Sequence, residues 1–201
     1  MRPVKKAPQS LAILASGTGT NADAICSHFA GNPLGKVVLI VTNNPEAGVL
    51  NVARQHGVSS AVVPNCDIST QLASMLLKHR VDWVILAGFL RKIPENVLAA
   101  FPDRIVNIHP ALLPDFGGKG MYGSHVHKAV IEAGKRESGI TIHRVNAQYD
   151  EGAILFQARC PVQAGDTPQS LAARIHILEH QHYPQVIEEL LNSHLSPNGT
   201  L

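Results

Sequence analysis

The chain lacks the features that mark membrane, secreted and nucleic-acid-binding proteins. No apolar run approaches the length needed to cross a bilayer, and the first residues do not form a signal peptide. A formal net charge of +2 over 201 residues is too small to indicate a polyanionic partner. We therefore expect no nucleic acid and no membrane among its partners.

Cysteine is scarce as well. The three cysteines, Cys26, Cys66 and Cys160, are far apart, odd in number and without a Cys-x-x-C pair. A disulfide framework normally uses an even number of cysteines, so this pattern indicates reduced thiols. The expected location is the cytoplasm.

What the chain does contain is a regular alternation of apolar runs with amphipathic stretches. Nearly continuous apolar character predicts strands buried on both faces, at 11–15, 37–41, 61–63, 83–87 and 104–108. Helix-like stretches separate them, at about 20–30, 46–56, 68–80 and 94–100. This alternation predicts an α/β fold, with a Rossmann-like, mostly parallel sheet flanked by helices.

The pattern changes after the fifth predicted strand. A loop rich in Gly and Pro runs from 110 to 123, and a helix is predicted from about 124 to 133. The segments "SGITIHRV" and "AILFQARCPV" predict a β-rich C-terminal part of the sheet, and 168–191 predicts a long C-terminal helix. The length suits a single domain over 1–201, with 1–9 and 195–201 as loose tails.

A glycine-rich loop, "SGTGTN" at 16–21, joins the first predicted strand to the first helix. Such a junction lets the backbone approach an anion at a helix N-terminus, and Thr20 with Asp23 predicts a capping-box-like pair. The dinucleotide fingerprint also needs an acidic residue about 20 positions on, and the Walker motif needs Gly-Lys-Ser/Thr. Both are missing, so a phosphomonoester fits the loop better than a dinucleotide or ATP. A tight turn without a ligand is the alternative.

Two polar residues interrupt the end of the fifth strand, "RIVNIHPALLP". Asn107 and His109 are two positions apart, so they face the same side at the carboxyl end of a strand, where open α/β sheets bind ligands. An amide can donate to a developing oxyanion and an imidazole can move a proton, which suits acyl transfer. Asp150, in a polar loop, would favour protonated His109 if it lay close by. Each residue can also be read as satisfying loop backbone groups or forming an ordinary turn.

These stretches together resemble the phosphoribosylglycinamide formyltransferases, the folate-dependent enzymes of purine synthesis. The likeness covers about residues 10 to 191. It rests on the loop at 16–21, "LAGFLRKI" at 86–93, "NIHPALLP" at 107–114, "YDEG" at 149–152 and "LEHQHYP" at 178–184.

The resemblance implies transfer of a formyl group from 10-formyltetrahydrofolate to the amine of glycinamide ribonucleotide, without a metal, by a monomer or homodimer. Asn107, His109 and Asp150 would be the catalytic group, with Asn107 also contacting substrate and a protonated His109 stabilising the oxyanion. The backbone of Gly19, Thr20 and Asn21 would hold the phosphate, and Glu179 would reach the ribose. The folate would lie against Leu90, Arg91, Lys92, Ile93, Asn146, Ala147, Gln148, Tyr149 and Asp150.

Two features depart from that family pattern. The loop Gly117–Gly123 is longer than in many relatives, which leaves Lys119, Met121 and Tyr122 without a role. Many relatives also carry a basic folate contact near the start of the third helix, where this chain has uncharged Thr70.

Other readings stay open at this point. A formyltetrahydrofolate deformylase or a methionyl-tRNA formyltransferase would share the Asn-x-His segment, although each carries a further domain for which we find no sequence signal.

A zinc protease is a further alternative, because His176, Glu179 and His180 match the short motif H-x-x-E-H. This motif would still need a third ligand for the metal. A non-enzymatic nucleotide-binding module would keep the glycine loop but would not need the three polar residues. His125 and His127 are predicted to be structural or capping groups.

Overall fold

The computed structural model describes residues 7–195, which form a seven-stranded sheet with flanking helices. In chain order the elements are β1 (Gln9–Leu14), α1 (Thr20–His28), β2 (Gly35–Thr42), α2 (Val49–Gln55), β3 (Ser59–Val62), α3 (Ile68–Lys78), β4 (Trp83–Leu86), α4 (Glu95–Ala100), β5 (Ile105–His109), α5 (Ser124–Glu132), β6 (Glu137–Arg144), β7 (Ile154–Pro161) and α6 (Pro168–Leu195).

The strand order is β3-β2-β1-β4-β5-β6-β7. Neighbours from β3 to β5 are parallel, whereas β6 pairs antiparallel with both β5 and β7. The predicted α/β class, its β-rich C-terminal part and its long last helix are confirmed. The order reverses between β1 and β4, and open α/β sheets bind ligands in the crevice at such a switch point.

Both faces of the central strands are buried, which explains their continuous apolar character. Leu11 and Ile13 of β1 pack into one cluster with α1, α2 and α6, while Ala12 and Leu14 pack into another with α3 and α4. All four side chains are fully buried. Alternation with a period of two therefore gives each face its own core.

The N-terminal tail is shorter than the sequence suggests. Gln9 begins β1, and its buried side chain accepts a hydrogen bond from Trp83 Nε1 (2.9 Å) and donates one to the Leu191 carbonyl (3.1 Å). Leu195, likewise assigned to a tail, is the last residue of α6. Ala7 and Pro8 are exposed and belong to no strand or helix, and the remaining predicted tail residues, 1–6 and 196–201, lie outside the described part of the chain.

Between residues 7 and 195, no helix combines the length and apolar character needed to cross a membrane.

Candidate active site

The carboxyl ends of β1, β4 and β5 open into one cavity of about 560 Å³. Loops far apart in sequence meet there, because parallel strands end at the same edge of the sheet. With the exception of Ala147, which is exposed elsewhere on its loop, all the residues predicted for the site line this cavity: Gly19, Thr20, Asn21, Leu90, Arg91, Lys92, Ile93, Asn107, His109, Asn146, Gln148, Tyr149, Asp150 and Glu179.

The glycine loop enters α1 through a left-handed residue. Gly19 is the N-cap, with φ 87°, and a Cβ there would lie 2.8 Å from the Cα of Val49. The predicted capping box is wrong, since Thr20 is already helical and no side chain caps α1. The Asp23 carboxylate instead accepts a hydrogen bond from His56 Nε2 (2.6 Å). The first-turn amides of α1 thus adjoin the cavity without a side-chain cap, as an anion site requires.

At the centre of the cavity, Asn107 is hydrogen-bonded to a residue that sequence reasoning missed. His143 of β6 lies opposite Asn107 in the antiparallel ladder, and the two side chains meet at 3.1 Å between Nδ2 and Nε2. The other imidazole nitrogen, Nδ1, is 2.8 Å from the Arg144 carbonyl. A carbonyl can only accept, so Nδ1 carries the proton and Nε2 accepts from the amide of Asn107.

His109 is buried and held on both sides. Its Nε2–H donates to the carbonyl of Phe116 (2.8 Å), and its Nδ1 lies 3.6 Å from Asp150 Oδ2. Burial lowers the pKa of His109 and outweighs Asp150, which acts in the opposite direction. The expectation that Asp150 favours the charged ring is therefore correct in direction, but the net shift has the opposite sign because burial of the imidazole disfavours its charged form more strongly.

Asp150 joins both histidines to the long loop. Its Oδ1 lies 3.6 Å from His143 Nε2, and its Oδ2 accepts a hydrogen bond from the Gly118 amide (2.9 Å). Burial raises the pKa of Asp150, but His143 in its charged form, the hydrogen bond from the Gly118 amide and His109 in its charged form lower it below its usual value. The carboxylate is consequently ionised at neutral pH. Its backbone is left-handed, with φ 58°, an uncommon conformation for a non-glycine residue.

Glu179 lies at the glycine-loop end of the cavity. It is buried, and its Oε2 accepts a hydrogen bond from Asn21 Nδ2 (2.9 Å). Burial raises the pKa of Glu179, while the Asn21 hydrogen bond and His176 lower it. The Oδ1 atom of Asn21 is buried without a hydrogen-bond partner among the described residues, so this pair retains an unsatisfied acceptor beside the loop.

The long loop and two further histidines also face the cavity. Lys119, Met121 and Tyr122 line it, and so do His127 and His176. Neither His125 nor His127 caps α5, whose N-cap is Gly123 without a side-chain bond. His127 is buried, and burial together with His176 and His109 lowers its pKa to about 4. A polar residue inside a buried strand or helix face was the available signal for both His127 and His143.

The H-x-x-E-H residues do not form a metal-binding cluster. The rings of His176 and His180 stack with centroids 6.3 Å apart, while Glu179 is engaged by Asn21. Over residues 7–195 no group of three or more His, Cys, Asp or Glu side chains is arranged to hold a metal ion. Thr70, at the start of α3, is exposed and does not line the cavity.

Comparison with known proteins gives one consistent family. A family model described as formyl transferase matches residues 9–187. The chain is 47% identical over 189 residues to the chloroplastic phosphoribosylglycinamide formyltransferase of Arabidopsis thaliana, covering 89% of this chain and 64% of that protein. It is 33% identical over 185 residues to the phosphoribosylglycinamide formyltransferase of Escherichia coli K12, covering 89% and 85% respectively.

Solved structures agree with this result. Glycinamide ribonucleotide transformylase 1 from Symbiobacterium toebii superposes with a TM-score of 0.87 at 35% identity, covering 96% of this chain and 92% of that one. The chain spans 64% of the length of the Arabidopsis thaliana relative and 61% of the chloroplastic phosphoribosylglycinamide formyltransferase of Vigna unguiculata, to which it is 45% identical, so it covers less than two thirds of either protein. The resemblance read from the sequence is confirmed: the chain belongs to the formyl transferase family, among the phosphoribosylglycinamide formyltransferases.

Proposed function

We propose that this chain transfers the formyl group of 10-formyltetrahydrofolate to the amine of glycinamide ribonucleotide, a step of purine biosynthesis. The observation that carries the proposal is the convergence of Asn107, His109 and Asp150 in one cavity with a glycine loop at a helix N-terminus. The names of the relatives support the same conclusion.

In this proposal the amine attacks the formyl carbon and forms a tetrahedral intermediate with an oxyanion. Asn107 donates to that oxyanion, since its amide is oriented by His143. His109 starts neutral and takes up a proton on Nδ1, because Nε2 already donates to Phe116. Asp150 then stabilises the charged ring and orders the water that carries the proton from the amine. Collapse of the intermediate breaks the bond to the folate nitrogen, which leaves with the proton that His109 returns from Nδ1, so the ring is neutral again.

The two substrates would enter from different sides of these three residues. The backbone of Gly19, Thr20 and Asn21 would bind the phosphate, and Glu179 would accept hydrogen bonds from the ribose hydroxyls. The folate would lie between the segment 90–93 and the loop 146–150. The absence of a cap on α1 and the burial of Glu179 beside Asn21 support this arrangement. The proposal includes a cytoplasmic location and a monomeric or homodimeric state. The three free cysteines support a reducing compartment such as the cytoplasm.

An absorbance assay for tetrahydrofolate release tests the activity. Release that depends on glycinamide ribonucleotide, with one formyl group recovered on its amine per folate, is the expected result. Release at an equal rate without the ribonucleotide, with free formate as product, would assign the chain to hydrolysis instead. No release of tetrahydrofolate, with or without the ribonucleotide, would overturn the proposal.

A further inference from the structure

Ser16 ties together the ends of three strands at the edge of the cavity. It follows β1, and its backbone amide donates to the carbonyl of Gly88 (3.0 Å) beyond β4. Its hydroxyl accepts a hydrogen bond from the amide of Leu90 (3.0 Å) and donates to Asn43 Oδ1 (2.6 Å), which follows β2. One small side chain thus joins loops that are 27 and 74 positions away in sequence.

The two hydrogen bonds of the Ser16 hydroxyl continue in one direction through Asn43. Asn43 donates through Nδ2 to Asn65 Oδ1 (3.0 Å), which leaves its own Oδ1 facing Ser16. The single hydroxyl hydrogen of Ser16 goes to that oxygen, so a lone pair faces the amide of Leu90. Hydrogen bonds that point the same way along a chain polarise and strengthen one another. The hydroxyl is therefore oriented before any ligand binds.

Few backbone hydrogen bonds hold the segment that receives this contact. Residues 87–94 form no helix or strand, and the Leu90 side chain is half exposed. The other backbone hydrogen bonds that tie this stretch to β1 and its end are Ala87 N to Leu14 O and Ser16 N to Gly88 O. The Leu90 amide is hydrogen-bonded directly before Arg91, Lys92 and Ile93, which line the cavity, and the next fixed point is the side chain of Ile93, buried in the core with α3 and α4.

We propose that the hydroxyl of Ser16 is a positioning group that fixes the backbone of Leu90–Ile93 for the folate, an inference that rests on the proposed function. Ordering an irregular segment costs conformational entropy, and a segment already fixed does not impose that cost on binding. Because Gly17 of the glycine loop follows directly, Ser16 also sets the spacing between the phosphate loop and the folate segment.

Substitutions of Ser16 and Asn43 separate this role from a general structural one. In Ser16→Ala, the apparent Michaelis constant for 10-formyltetrahydrofolate should rise about five- to tenfold, the range expected for one lost hydrogen bond. The constant for the ribonucleotide and the turnover at saturation should change less than about twofold on the same principle. Ser16→Thr keeps the hydroxyl and should restore the folate constant, whereas Asn43→Ala should raise it more weakly. Ser60→Ala, at an exposed hydroxyl on β3, is the matched control.

Amide hydrogen exchange gives a readout that does not depend on activity. In the ligand-free protein, Ser16→Ala should accelerate exchange at Leu90 while the amides of β1 and β4 keep wild-type rates. Unchanged exchange at Leu90 in a folded variant would overturn the proposal, as would equal rises in both substrate constants. If Ser16→Ala does not fold, the Asn43→Ala variant decides by the same two measurements. If the wild-type protein does not transfer a formyl group, the proposed function is refuted. Hydrogen exchange at Leu90 in Ser16→Ala would still test whether the Ser16 hydroxyl holds the Leu90 backbone.

Discussion

Asn107 and His143 face each other across the β5–β6 ladder, and the imidazole fixes which end of the amide points toward it. The Nδ2 group of Asn107 donates to Nε2 of His143, whose Nδ1–H is held by the Arg144 carbonyl. Without this partner, the amide could turn by 180° and present its oxygen where a donor is needed. His143 is therefore a positioning residue for the proposed oxyanion contact of Asn107.

Replacing His143 with Ala should lower turnover by about tenfold, less than the 100- to 1000-fold typical for losing an oxyanion donor, because Asn107 is still present. The Michaelis constants of both substrates should change little, since the contact acts on the transition state. Steady-state kinetics with both substrates varied measures the two effects. His143→Gln, which retains a hydrogen-bond acceptor, is the matched control and should recover part of the turnover. A rise in both constants at unchanged turnover would contradict this role.

Replacing Asp150 with Asn should lower turnover and move the pH–rate limb that belongs to His109 toward lower pH. Burial lowers the pKa of His109, while Asp150 and the hydrogen bond to the Phe116 carbonyl raise it, so removing the Asp150 charge takes away the larger of the two opposing influences and lowers the pKa further. The amide oxygen of Asn can still accept from Gly118, which keeps the loop contact. The pH dependence of turnover measures the shift.

Asp115→Asn is the control for that experiment. Asp115 lies in the loop between β5 and α5, whose Gly118 amide donates to Asp150, but the Asp115 carboxylate is exposed and paired with Lys135 (2.7 Å). Its substitution should leave the profile unchanged. A folded Asp150→Asn variant with wild-type turnover and an unmoved limb would remove Asp150 from the proposed mechanism.

The sequence predicted the layout of the sheet well, because that layout depends on local pattern. The fourth predicted strand, 83–87, corresponds to Trp83–Leu86, and the fifth, 104–108, to Ile105–His109. Burial on both faces removes polar residues from these strands, so the two that remained, Asn107 and His109, stood out. Both reach the cavity because β5 ends at the same edge of the sheet as β1 and β4, whereas Asp150 reaches it from the loop after the antiparallel β6, which the sequence pattern does not specify.

What the sequence could not provide depends on partners that are distant in the chain. Gln9 reads as tail because Trp83 and Leu191, which bind its amide, are invisible to a local pattern. Asp23 fits a capping box, but His56 engages its carboxylate, and the cap is Gly19 instead. His143 was missed because its role arises from an antiparallel register that no periodicity specifies.

The buried ring of His127 should make stability fall as the solution becomes acidic. Burial, His176 and His109 lower its pKa from 6.5 to about 4 in the folded chain. Between those values the unfolded chain binds a proton that the folded chain does not, so the stability contribution is complete above pH 6.5 and is lost toward pH 4. A shift of that size corresponds to about 3 kcal/mol of unfolding free energy.

Urea unfolding of wild type and His127→Gln between pH 7 and pH 4 measures this contribution. The variant cannot take up the proton, so its free energy of unfolding should fall less steeply with acidity than that of wild type. His125→Gln is the matched control two positions away, because His125 is exposed and stacks edge-on against Tyr122. Parallel pH curves for wild type and His127→Gln would show that His127 does not couple protonation to folding.

Gly19 and Gly17 should respond differently to the addition of a single methyl group. Gly19 has φ 87°, and a Cβ there would meet Val49 Cα and Cγ2 at 2.8 Å, so backbone strain and a clash with backbone coincide. A Cβ on Gly17 would have no neighbour within 4 Å. Gly19→Ala should therefore lose about 1–3 kcal/mol of unfolding free energy or more, while Gly17→Ala should stay within about 0.5 kcal/mol of wild type. Urea unfolding measures both. Equal destabilisation by both substitutions would mean that the loop conformation, rather than the contact with Val49, requires glycine.

Gly17 also lines the cavity, so its added methyl group tests the proposed anion site. A raised Michaelis constant for the ribonucleotide, at unchanged stability of Gly17→Ala, would place the phosphate at this loop.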